Sequence, residues 1–288
     1  MEPLYTQQKT ICSADIVKKL EIFYKEDKIQ QDLSTICATR KQDPHTRAQL
    51  IAEEEMIAAG LPLFDIHFPQ HNITQHKQEG SVCKPGEILY ELEAPASTLL
   101  SYERILLNLT QRMSGIASLT NQYVEKLDSS TIKILDTRKT TPGLRVFEKY
   151  AVYIGGGYNH RLDLNDGVMI KDNHLAIMEN LDSNLSYLKQ QHPDKKIQIE
   201  VDNFNQLNNI LNSVNIKIDA ILLDNMNAKQ TQKCAALIRQ RLPKCFIESS
   251  GGINLKNILN YKKLDVDGIS IGALTHQANS KNIKLEFK

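Results

Sequence analysis

The segment Thr131-Ile132-Lys133-Ile134-Leu135-Asp136-Thr137-Arg138-Lys139 decides the fold, because it is the first of six similar units. In each unit a short apolar run ends in a charged or glycine-rich turn and a helical pattern follows. The later runs end at Lys171, Glu200, Asp224, the turn at 248–252 and Gly272. Repeated strand-helix units predict a parallel sheet or barrel. Ligands of such folds bind at the carboxyl ends of the strands, so the polar residues there predict a binding site.

The chain before this segment has a different pattern. Apolar residues at helical spacing predict a short helix in 14–24, and 26–35 resembles a connecting loop. Short apolar runs divided by turn signals predict an antiparallel β segment in 47–95, and 99–127 predicts one long helix or a broken pair. We therefore predict an α/β protein with a first domain in 1–115, on which the C-terminal end can pack, and a second in 116–288.

Composition excludes several classes of protein. The 35 Lys and Arg residues balance 34 Asp and Glu residues, so a net charge of +1 predicts neither a nucleic-acid nor a membrane partner. The five cysteines form no Cys-x-x-Cys pair and predict reduced thiols rather than zinc or redox chemistry. No run of 18 apolar residues occurs, and we expect a soluble, cytoplasmic protein.

Four cations follow the strand-helix rhythm: Arg138, Lys139, Arg161 and Lys171. Arginine can bind a carboxylate or phosphate through two parallel hydrogen bonds, and lysine adds a compact charge. Four surface charges would have no reason to follow the strand ends, so an anionic ligand is the better interpretation. His160 has no Ser or Cys partner in a nucleophile motif, and we expect it to donate a hydrogen bond to the anion.

Glu200 and Asp224 end consecutive strands among these cations. They could neutralise the lysines in an ion-pair network, or they could bind a divalent metal shared with a phosphorylated substrate. Mg²⁺ typically uses one or two carboxylates together with substrate oxygens. The sequence therefore favours Mg²⁺. It has no cysteine cluster, the ligand pattern that is typical of structural zinc sites.

Glycine-rich turns predict a phosphate site after the last two strands. Ser250-Gly251-Gly252 precedes a helical stretch, and Gly272-Ala273 ends the next strand, with His276 close behind. Such turns let backbone N–H groups approach an oxyanion. Gly155-Gly156-Gly157 predicts a loop that folds tightly or moves over a ligand. Gly-x-Gly-x-x-Gly and Walker motifs do not occur, so a nucleotide site of those types is not expected.

Several motifs together resemble those of the quinolinate phosphoribosyltransferase family. They are Glu103-Arg104-Ile105-Leu106-Leu107-Asn108-Leu109, Met113-Ser114-Gly115-Ile116-Ala117, Leu135 to Arg145, Gly155 to Arg161, Ile170-Lys171-Asp172-Asn173-His174, Glu200-Val201-Asp202, Leu223-Asp224-Asn225-Met226, Glu248 to Ile253 and Gly272 to His276. The resemblance covers most of the chain. It implies an N-terminal α/β sandwich domain and an incomplete α/β barrel.

The resemblance also implies an activity. Quinolinate and phosphoribosyl pyrophosphate would give nicotinate mononucleotide, pyrophosphate and carbon dioxide with Mg²⁺ as cofactor, in de novo NAD synthesis. A homodimer is implied, in which Arg104 reaches the active site of the neighbouring subunit. Lys139, Lys171, Glu200 and Asp224 would be the catalytic residues.

The implied substrate contacts divide into two groups. Quinolinate would be bound by Arg104, Arg138, His160, Arg161 and Lys171, Lys139 would contact quinolinate or the sugar phosphates, and Thr137 would also bind substrate. The sugar, its pyrophosphate and Mg²⁺ would be bound by Glu200, Asp224, Ser250, Gly251, Gly252, Gly272, Ala273 and His276.

Three alternatives remain at this point. A related molybdenum-transport-associated protein shares the fold and part of the Arg138-Lys139 motif, but intact His160-Arg161 and Lys171 favour the quinolinate enzyme. A class I aldolase would use Lys171 to form a Schiff base. A catalytically silent metabolite-binding protein could share the scaffold, although it would have no need of every charged strand end.

Overall fold

In the computed structural model, residues 3–11 and 14–288 are described, and they form two compact units. The barrel unit contains 3–7, Gln122–Thr140 and Gly157–His276. The antiparallel unit contains residues from Gln8 to Asn121, Thr141–Gly156 and Gln277–Lys288. Each unit thus combines three segments of chain, whereas the boundary between 115 and 116 is a division along the sequence and stays a prediction.

The helices are α1 (Ala14–Glu26), α2 (Leu33–Thr39), α3 (Pro62–His67), α4 (Ala96–Leu127), α5 (Arg145–Ile154), α6 (Asp172–Ile177), α7 (Leu181–Gln191), α8 (Phe204–Ser213), α9 (Ala228–Arg241) and α10 (Ala273–His276), with 3₁₀ turns at Ile29–Gln31 and Ile258–Tyr261. The strands are β1 (His45–Ala52), β2 (Met56–Ile57), β3 (Asn72–Gln75), β4 (Val82–Cys83), β5 (Ile88–Pro95), β6 (Lys133–Leu135), β7 (Val168–Ile170), β8 (Ile197–Val201), β9 (Ala220–Asp224), β10 (Phe246–Ser250), β11 (Gly268–Ser270) and β12 (Ile283–Phe287). None of the helices in these described stretches is both long and apolar enough to cross a bilayer.

The antiparallel unit has a four-stranded sheet in the order β12-β1-β5-β3, and β2 pairs with β4. The predicted antiparallel segment is confirmed, and the C-terminal strand β12 pairs with β1. The stripe at 99–127 belongs to one unbroken helix of 32 residues, α4. The loop predicted for 26–35 is wrong in part, because it holds a 3₁₀ turn and the start of α2. Asp32 caps α2 by accepting hydrogen bonds from the N–H groups of Ser34 and Thr35.

The barrel unit contains a six-stranded parallel sheet in the order β6-β11-β10-β9-β8-β7. Its first and last strands, β6 and β7, do not pair with each other in the described residues, so the barrel is incomplete. The α/β fold class with an incomplete barrel is therefore confirmed. Helices α6 to α9 provide the crossovers that parallel strands require.

Strands β9 and β10 are buried along their length until the last residue, which opens to solvent in each case. Continuous burial explains why β9 is an apolar run in the sequence, whereas β10 keeps the buried polar residues Glu248 and Ser249. Side chains alternate along a strand, so Leu222 and Asp224 share a face, and the parallel register places Ser250 opposite Asp224 and Glu248 opposite Leu222. The barrel thus has an apolar floor and a polar mouth.

The floor is formed by three buried residues, Leu135, Ala220 and Phe246, against which Leu4 and Tyr158 pack. Residues 3–7 therefore belong to this layer even though they precede the antiparallel unit in the sequence. Above the floor, Gln198 and Glu248 are fully buried polar residues inside the barrel. Buried polar side chains need hydrogen-bond partners, so this polar layer indicates a functional site in the cavity above it.

Candidate active site

A cavity of about 320 Å³ opens at the carboxyl ends of the barrel strands. Nine of the predicted site residues line it, namely Thr137, Arg138, Lys139, His160, Arg161, Lys171, Glu200, Asp224 and Ser250. Met169, Leu222, Glu248 and Ser270 complete the lining. Residues from all six strands or their ends thus meet in one place, as the strand-helix rhythm indicates.

The cavity holds two neighbouring arginines. Arg161 is only 6% exposed, and its Nη1 donates to the Gly167 carbonyl oxygen at 2.9 Å. Burial lowers the pKa of its guanidinium, and the positive charge of Arg138 lowers it further. The Nε of Arg138 is itself buried and has no hydrogen-bond partner among the described residues. Two close cations with donor capacity to spare form a site for an anion.

Asp136 fixes the backbone beside these arginines. It is fully buried, and its carboxylate accepts hydrogen bonds from the Asn159 side chain at 2.7 Å and the His160 N–H at 2.8 Å. The Nδ1 of His160 accepts from the Arg161 N–H at 2.8 Å, and its Nε2 lies 3.4 Å from Glu248. Burial acts to raise the pKa of the Glu248 carboxyl, but the electrostatic effect of His160 and the hydrogen bonds that Glu248 accepts outweigh it, and the pKa is lowered.

An acidic group lies at the mouth. Oxygens of Glu200, Asp202 and Asp224 lie within 4.8 Å of one another, and Lys171 Nζ lies 2.7 Å from Glu200. Burial raises the pKa of the Glu200 carboxyl, Lys171 opposes that rise, and Asp224 and Asp202 add to it. Glu200 is the fourth residue of β8, and Asp202 follows directly after that strand, so the two carboxylates lie two positions apart at its open end. Three converging carboxylates can bind a hard divalent cation.

The turn after β10 depends on glycine. Gly251 has a φ of +83°, and a Cβ there would lie 2.2 Å from Asn225 Oδ1 and 2.7 Å from the Asn225 nitrogen. The Asn225 N–H donates to the Ser250 carbonyl, and its side chain donates to Asp224 at 2.7 Å. Gly252 also has a positive φ, but a Cβ there would meet nothing within 4 Å. The turn therefore lies beside Asp224, to which the Asn225 side chain donates, and its second glycine, Gly252, has free space around its backbone.

Lys139 lies near the last strand end. Its carbonyl accepts a hydrogen bond from Thr275 Oγ1 at 2.7 Å. A Cβ at Gly272 would come within 3.1 Å of both His276 Nε2 and Lys139 Cδ. Gly272 and His276 thus adjoin Lys139, Ala273 begins α10 directly after Gly272, and a side chain at 272 would require His276 and Lys139 to shift slightly.

Two predictions concern other regions. Arg104 is exposed in the antiparallel unit, where it lines a cavity of about 320 Å³ together with Phe23, Asn108 and Leu144. The predicted glycine loop begins where Gly155 ends α5, and Gly156 has a φ of +87°. These glycines form a tight helix end, and the predicted movement over a ligand stays a prediction.

Sequence reasoning missed three polar residues of the site: Asp202, Glu248 and Ser270. Asp202 follows Glu200 at the strand period, and that spacing could have revealed it. Glu248 and Ser270 lie within β10 and β11, and only the strand register, which places Glu248 opposite Leu222 and Ser270 opposite Ser250, brings them to the cavity. The roles assigned to the individual site residues stay predictions.

Two family models match this chain. Quinolinate phosphoribosyl transferase, N-terminal domain, matches residues 32–114, and quinolinate phosphoribosyl transferase, C-terminal domain, matches residues 116–286. The chain is 38% identical over 274 residues to a probable nicotinate-nucleotide pyrophosphorylase (carboxylating) of Bacillus subtilis, which covers 93% of this chain and 92% of that one. A nicotinate-nucleotide pyrophosphorylase (carboxylating) of Mycobacterium leprae is 39% identical and covers 75% of each chain.

Solved structures agree. NadC from Streptococcus pyogenes superposes with a TM-score of 0.85 at 34% identity, covering 95% of this chain and 97% of that one. Nicotinate-nucleotide pyrophosphorylase from Ehrlichia chaffeensis gives a TM-score of 0.86 at 33% identity, covering 97% and 100%. With both family models matched and relatives similar along nearly the whole length, the chain belongs to the quinolinate phosphoribosyl transferase family.

Proposed function

We propose that the protein is a nicotinate-nucleotide pyrophosphorylase (carboxylating), a pentosyltransferase of de novo NAD biosynthesis. It converts quinolinate and phosphoribosyl pyrophosphate to nicotinate mononucleotide, pyrophosphate and carbon dioxide. The observation that carries this proposal is the pair of arginines at the cavity: Arg161 is buried, its pKa is lowered by burial and by Arg138, and the spare donor of Arg138 requires an acceptor. Family membership supplies the identity of the anion.

Quinolinate has two adjacent carboxylates, and the cationic side of the cavity suits them. Arg138 lies close enough to Arg161 to add to the effect of burial in lowering the pKa of the Arg161 guanidinium, so a dianion would relieve the repulsion between the two cations. Thr137, Lys139 and Lys171 line the same cavity and add donors. His160 lies beside them, with its Nδ1 already accepting from the Arg161 N–H.

The side of the cavity that carries the carboxylates and the glycine-rich turns suits phosphoribosyl pyrophosphate. Glu200 and Asp224 would accept from the ribose hydroxyls, and Ser250 with the following glycines offers backbone donors to the 5′-phosphate. Gly272, Ala273 and His276 would extend that phosphate site towards Lys139. The carboxylates also fit Mg²⁺, since oxygens of Glu200, Asp202 and Asp224 lie within 4.8 Å of one another, and a cation there would oppose the effects of burial and of the neighbouring Asp224 and Asp202, which raise the pKa of Glu200. Bound there, Mg²⁺ would neutralise the charge of the leaving pyrophosphate.

The proposed mechanism has two steps. Held by the arginines, the pyridine nitrogen forms a bond to ribose C1 as the bond from C1 to pyrophosphate oxygen breaks, and Glu200 and Asp224 stabilise the positive charge that develops on the sugar. The alkylated ring then accepts electron density. The bond from ring C2 to its carboxylate breaks, carbon dioxide leaves, and a proton from solvent replaces it at C2.

The alternatives are not favoured. The relatives that match along the chain are named for the carboxylating pyrophosphorylase, which argues against a molybdenum-transport role. Lys171 forms a 2.7 Å ion pair with Glu200, and an ammonium held in this way is a weak nucleophile for a Schiff base. A silent binding protein would not need the carboxylate group opposite the arginines.

We also propose a cytoplasmic homodimer in which Arg104 completes the site of the partner. Arg104 is exposed, and no carboxylate of the described residues lies within ion-pair distance of it, so it is available to an anion outside its own unit. Arg104→Ala and Arg161→Ala chains, each inactive alone, should regain about a quarter of the wild-type activity when mixed at equal amounts, because half of the dimers then carry one intact site. Mixtures that stay inactive despite confirmed subunit exchange would contradict the donation of Arg104.

Growth provides the first test of the activity. The gene should restore growth without added nicotinate to a bacterial strain whose own carboxylating pyrophosphorylase is deleted, and its Arg161→Ala variant should not. Equal amounts of soluble protein in both strains provide the control. No growth with the wild-type gene at that level of protein would refute the proposed function.

A further inference from the structure

Tyr5 lies directly beneath the active-site cavity. It is only 7% exposed, and its ring packs on the His160 ring with 4.7 Å between centroids and 30° between planes. On another side it contacts Gly167, where a Cβ would come within 2.5 Å of the Tyr5 ring. Burial raises the pKa of the Tyr5 hydroxyl, and the nearby Glu248 raises it further, so the oxygen keeps its proton and acts as a donor.

The Tyr5 hydroxyl begins a chain of buried hydrogen bonds in which each residue donates to the next. Tyr5 donates to Gln198 Oε1 at 2.8 Å, and Gln198 Nε2 donates to Glu248 Oε2 at 2.7 Å. The same Glu248 oxygen faces His160 Nε2 at 3.4 Å. Because Tyr5 occupies the carbonyl oxygen of Gln198, the amide can only present its N–H₂ group to Glu248. Each member therefore fixes the orientation of the next.

His160 accepts a hydrogen bond at Nδ1 and faces Glu248 through Nε2. The Arg161 N–H donates to Nδ1 at 2.8 Å, so the ring proton belongs on Nε2, which faces Glu248. The Arg161 backbone is thereby linked to the orientation of the imidazole, and the Arg161 side chain donates to Gly167, which Tyr5 also contacts. Tyr5 thus touches both structures that fix Arg161 in the cavity.

Neighbouring residues hold the Tyr5 segment in the barrel unit. Gln7 exchanges two hydrogen bonds with the Asn159 backbone, at 2.8 and 3.0 Å, and Thr6 donates to Asp166 at 2.9 Å. These contacts join residues more than 150 positions apart in the sequence. The segment is therefore an ordered part of the floor beneath the site.

We propose that Tyr5 and Gln198 are positioning residues for quinolinate binding, which act through Glu248 on the His160-Arg161 pair. The inference rests on the proposed function, because it assigns this side of the cavity to quinolinate. Tyr5→Phe would leave the ring packing intact and remove the donor to Gln198. The Gln198 carbonyl oxygen would then be buried without a donor, so the amide would shift towards another donor, its hydrogen bond to Glu248 would weaken, and the orientation of His160 and Arg161 would be less well fixed.

Kinetics of Tyr5→Phe test this role. We expect the KM for quinolinate to rise about tenfold, with the KM for phosphoribosyl pyrophosphate unchanged within about twofold, since only one substrate contacts Arg161. Tyr261→Phe is the matched control, because Tyr261 is a buried tyrosine of the same unit whose hydroxyl donates to the Met226 carbonyl at 3.0 Å. Equal changes for both substrates, or the same changes in Tyr261→Phe, would overturn the proposal.

A double variant tests the chain itself. Gln198→Met should have the same quinolinate-specific effect, and adding Tyr5→Phe should worsen it by less than about twofold, because the chain is already broken. Independent effects would instead multiply to about a hundredfold and overturn the proposed coupling. If Tyr5→Phe alone proves too unstable to measure, Gln198→Met tests the role by itself, and an equal effect on both substrates would overturn it.

NMR of the histidine rings tests the positioning role of Tyr5 independently of the enzymatic activity. In ¹⁵N NMR of the histidine rings, His160 should be in the Nε2–H form in the wild type, and its signals should shift in Tyr5→Phe but not in Tyr261→Phe. An inactive wild type with these shifts would refute the proposed function alone. An active wild type whose His160 signals are unchanged by Tyr5→Phe would overturn the positioning role alone.

Discussion

Arg161→Met is the most informative substitution. It keeps the aliphatic stem of a side chain that is 6% exposed and removes the guanidinium. In the free protein that guanidinium has no carboxylate within 4.0 Å among the described residues, and its protein partner is the Gly167 carbonyl. Burial and the neighbouring Arg138 lower the pKa of Arg161, so the positive charge of this side chain is unfavourable in the protein without a bound substrate.

The expected magnitudes follow from that environment. Removing one partner of a buried charge pair costs about 3–5 kcal/mol, which is roughly a 10²- to 10⁴-fold loss of kcat/KM for quinolinate. Loss of the Gly167 hydrogen bond costs about 1 kcal/mol, but relief of the repulsion with Arg138 offsets it, so the free energy of unfolding should change by less than about 1 kcal/mol. The KM for phosphoribosyl pyrophosphate should remain close to its wild-type value.

Steady-state kinetics and urea denaturation measure both effects, and Arg239→Met is the matched control. Arg239 belongs to the same unit but forms ion pairs with Asp265 at 3.0 Å and Asp267 at 2.8 Å. We expect Arg239→Met to lose about 1–3 kcal/mol of stability with unchanged kinetics. The reasoning is refuted if Arg161→Met retains kcat/KM within threefold of wild type, or if it is destabilised as much as Arg239→Met.

The remaining predictions concern the turn, the acidic group and one carboxyl outside the site. Gly251→Ala should lose about 2–4 kcal/mol of unfolding free energy because its Cβ meets Asn225, whereas Gly252→Ala, with open space, should lose only about 1 kcal/mol; equal losses would contradict the clash. Asp202→Asn should raise the Mg²⁺ concentration for half-maximal activity about tenfold, and an unchanged Mg²⁺ titration would exclude Asp202 from the metal site. Burial raises the pKa of Glu79 to about 7, so the folded state binds more protons than the unfolded state between the ordinary pKa and that value. Stability should therefore fall as pH rises through this window, by up to about 3 kcal/mol, and Glu79→Gln should remove that dependence; identical pH profiles in denaturation experiments would disprove it.

The sequence was sufficient for the barrel because its physical causes are local. Parallel strands buried on both faces are mostly apolar, as in β9, and Asp224 marks the point where that strand opens at the mouth. Strand β10 differs, because Glu248 and Ser249 are polar and fully buried before its open end at Ser250. The cations at 138, 161 and 171 could therefore be placed at one cavity. The short helix α2 was missed because a side-chain cap at Asp32, rather than a long periodic pattern, starts it.

Contacts distant in the sequence account for what was missed. Tyr5 reaches Gln198 across 193 positions, and only the folded chain brings residues 3–7 beneath the cavity. Glu248 was included in a motif, but its carboxylate could have faced either way until the strand register placed it opposite Leu222. Asp202 differs, because its two-residue spacing from Glu200 was visible in the sequence.

The most direct test of the account is the product stoichiometry of the purified protein. With quinolinate, phosphoribosyl pyrophosphate and Mg²⁺, we predict equal amounts of nicotinate mononucleotide, pyrophosphate and carbon dioxide, whereas nicotinate, which lacks the second carboxylate, should give little product. Nicotinate mononucleotide formed equally well from nicotinate, or no product from quinolinate, would contradict a site built for a dicarboxylate.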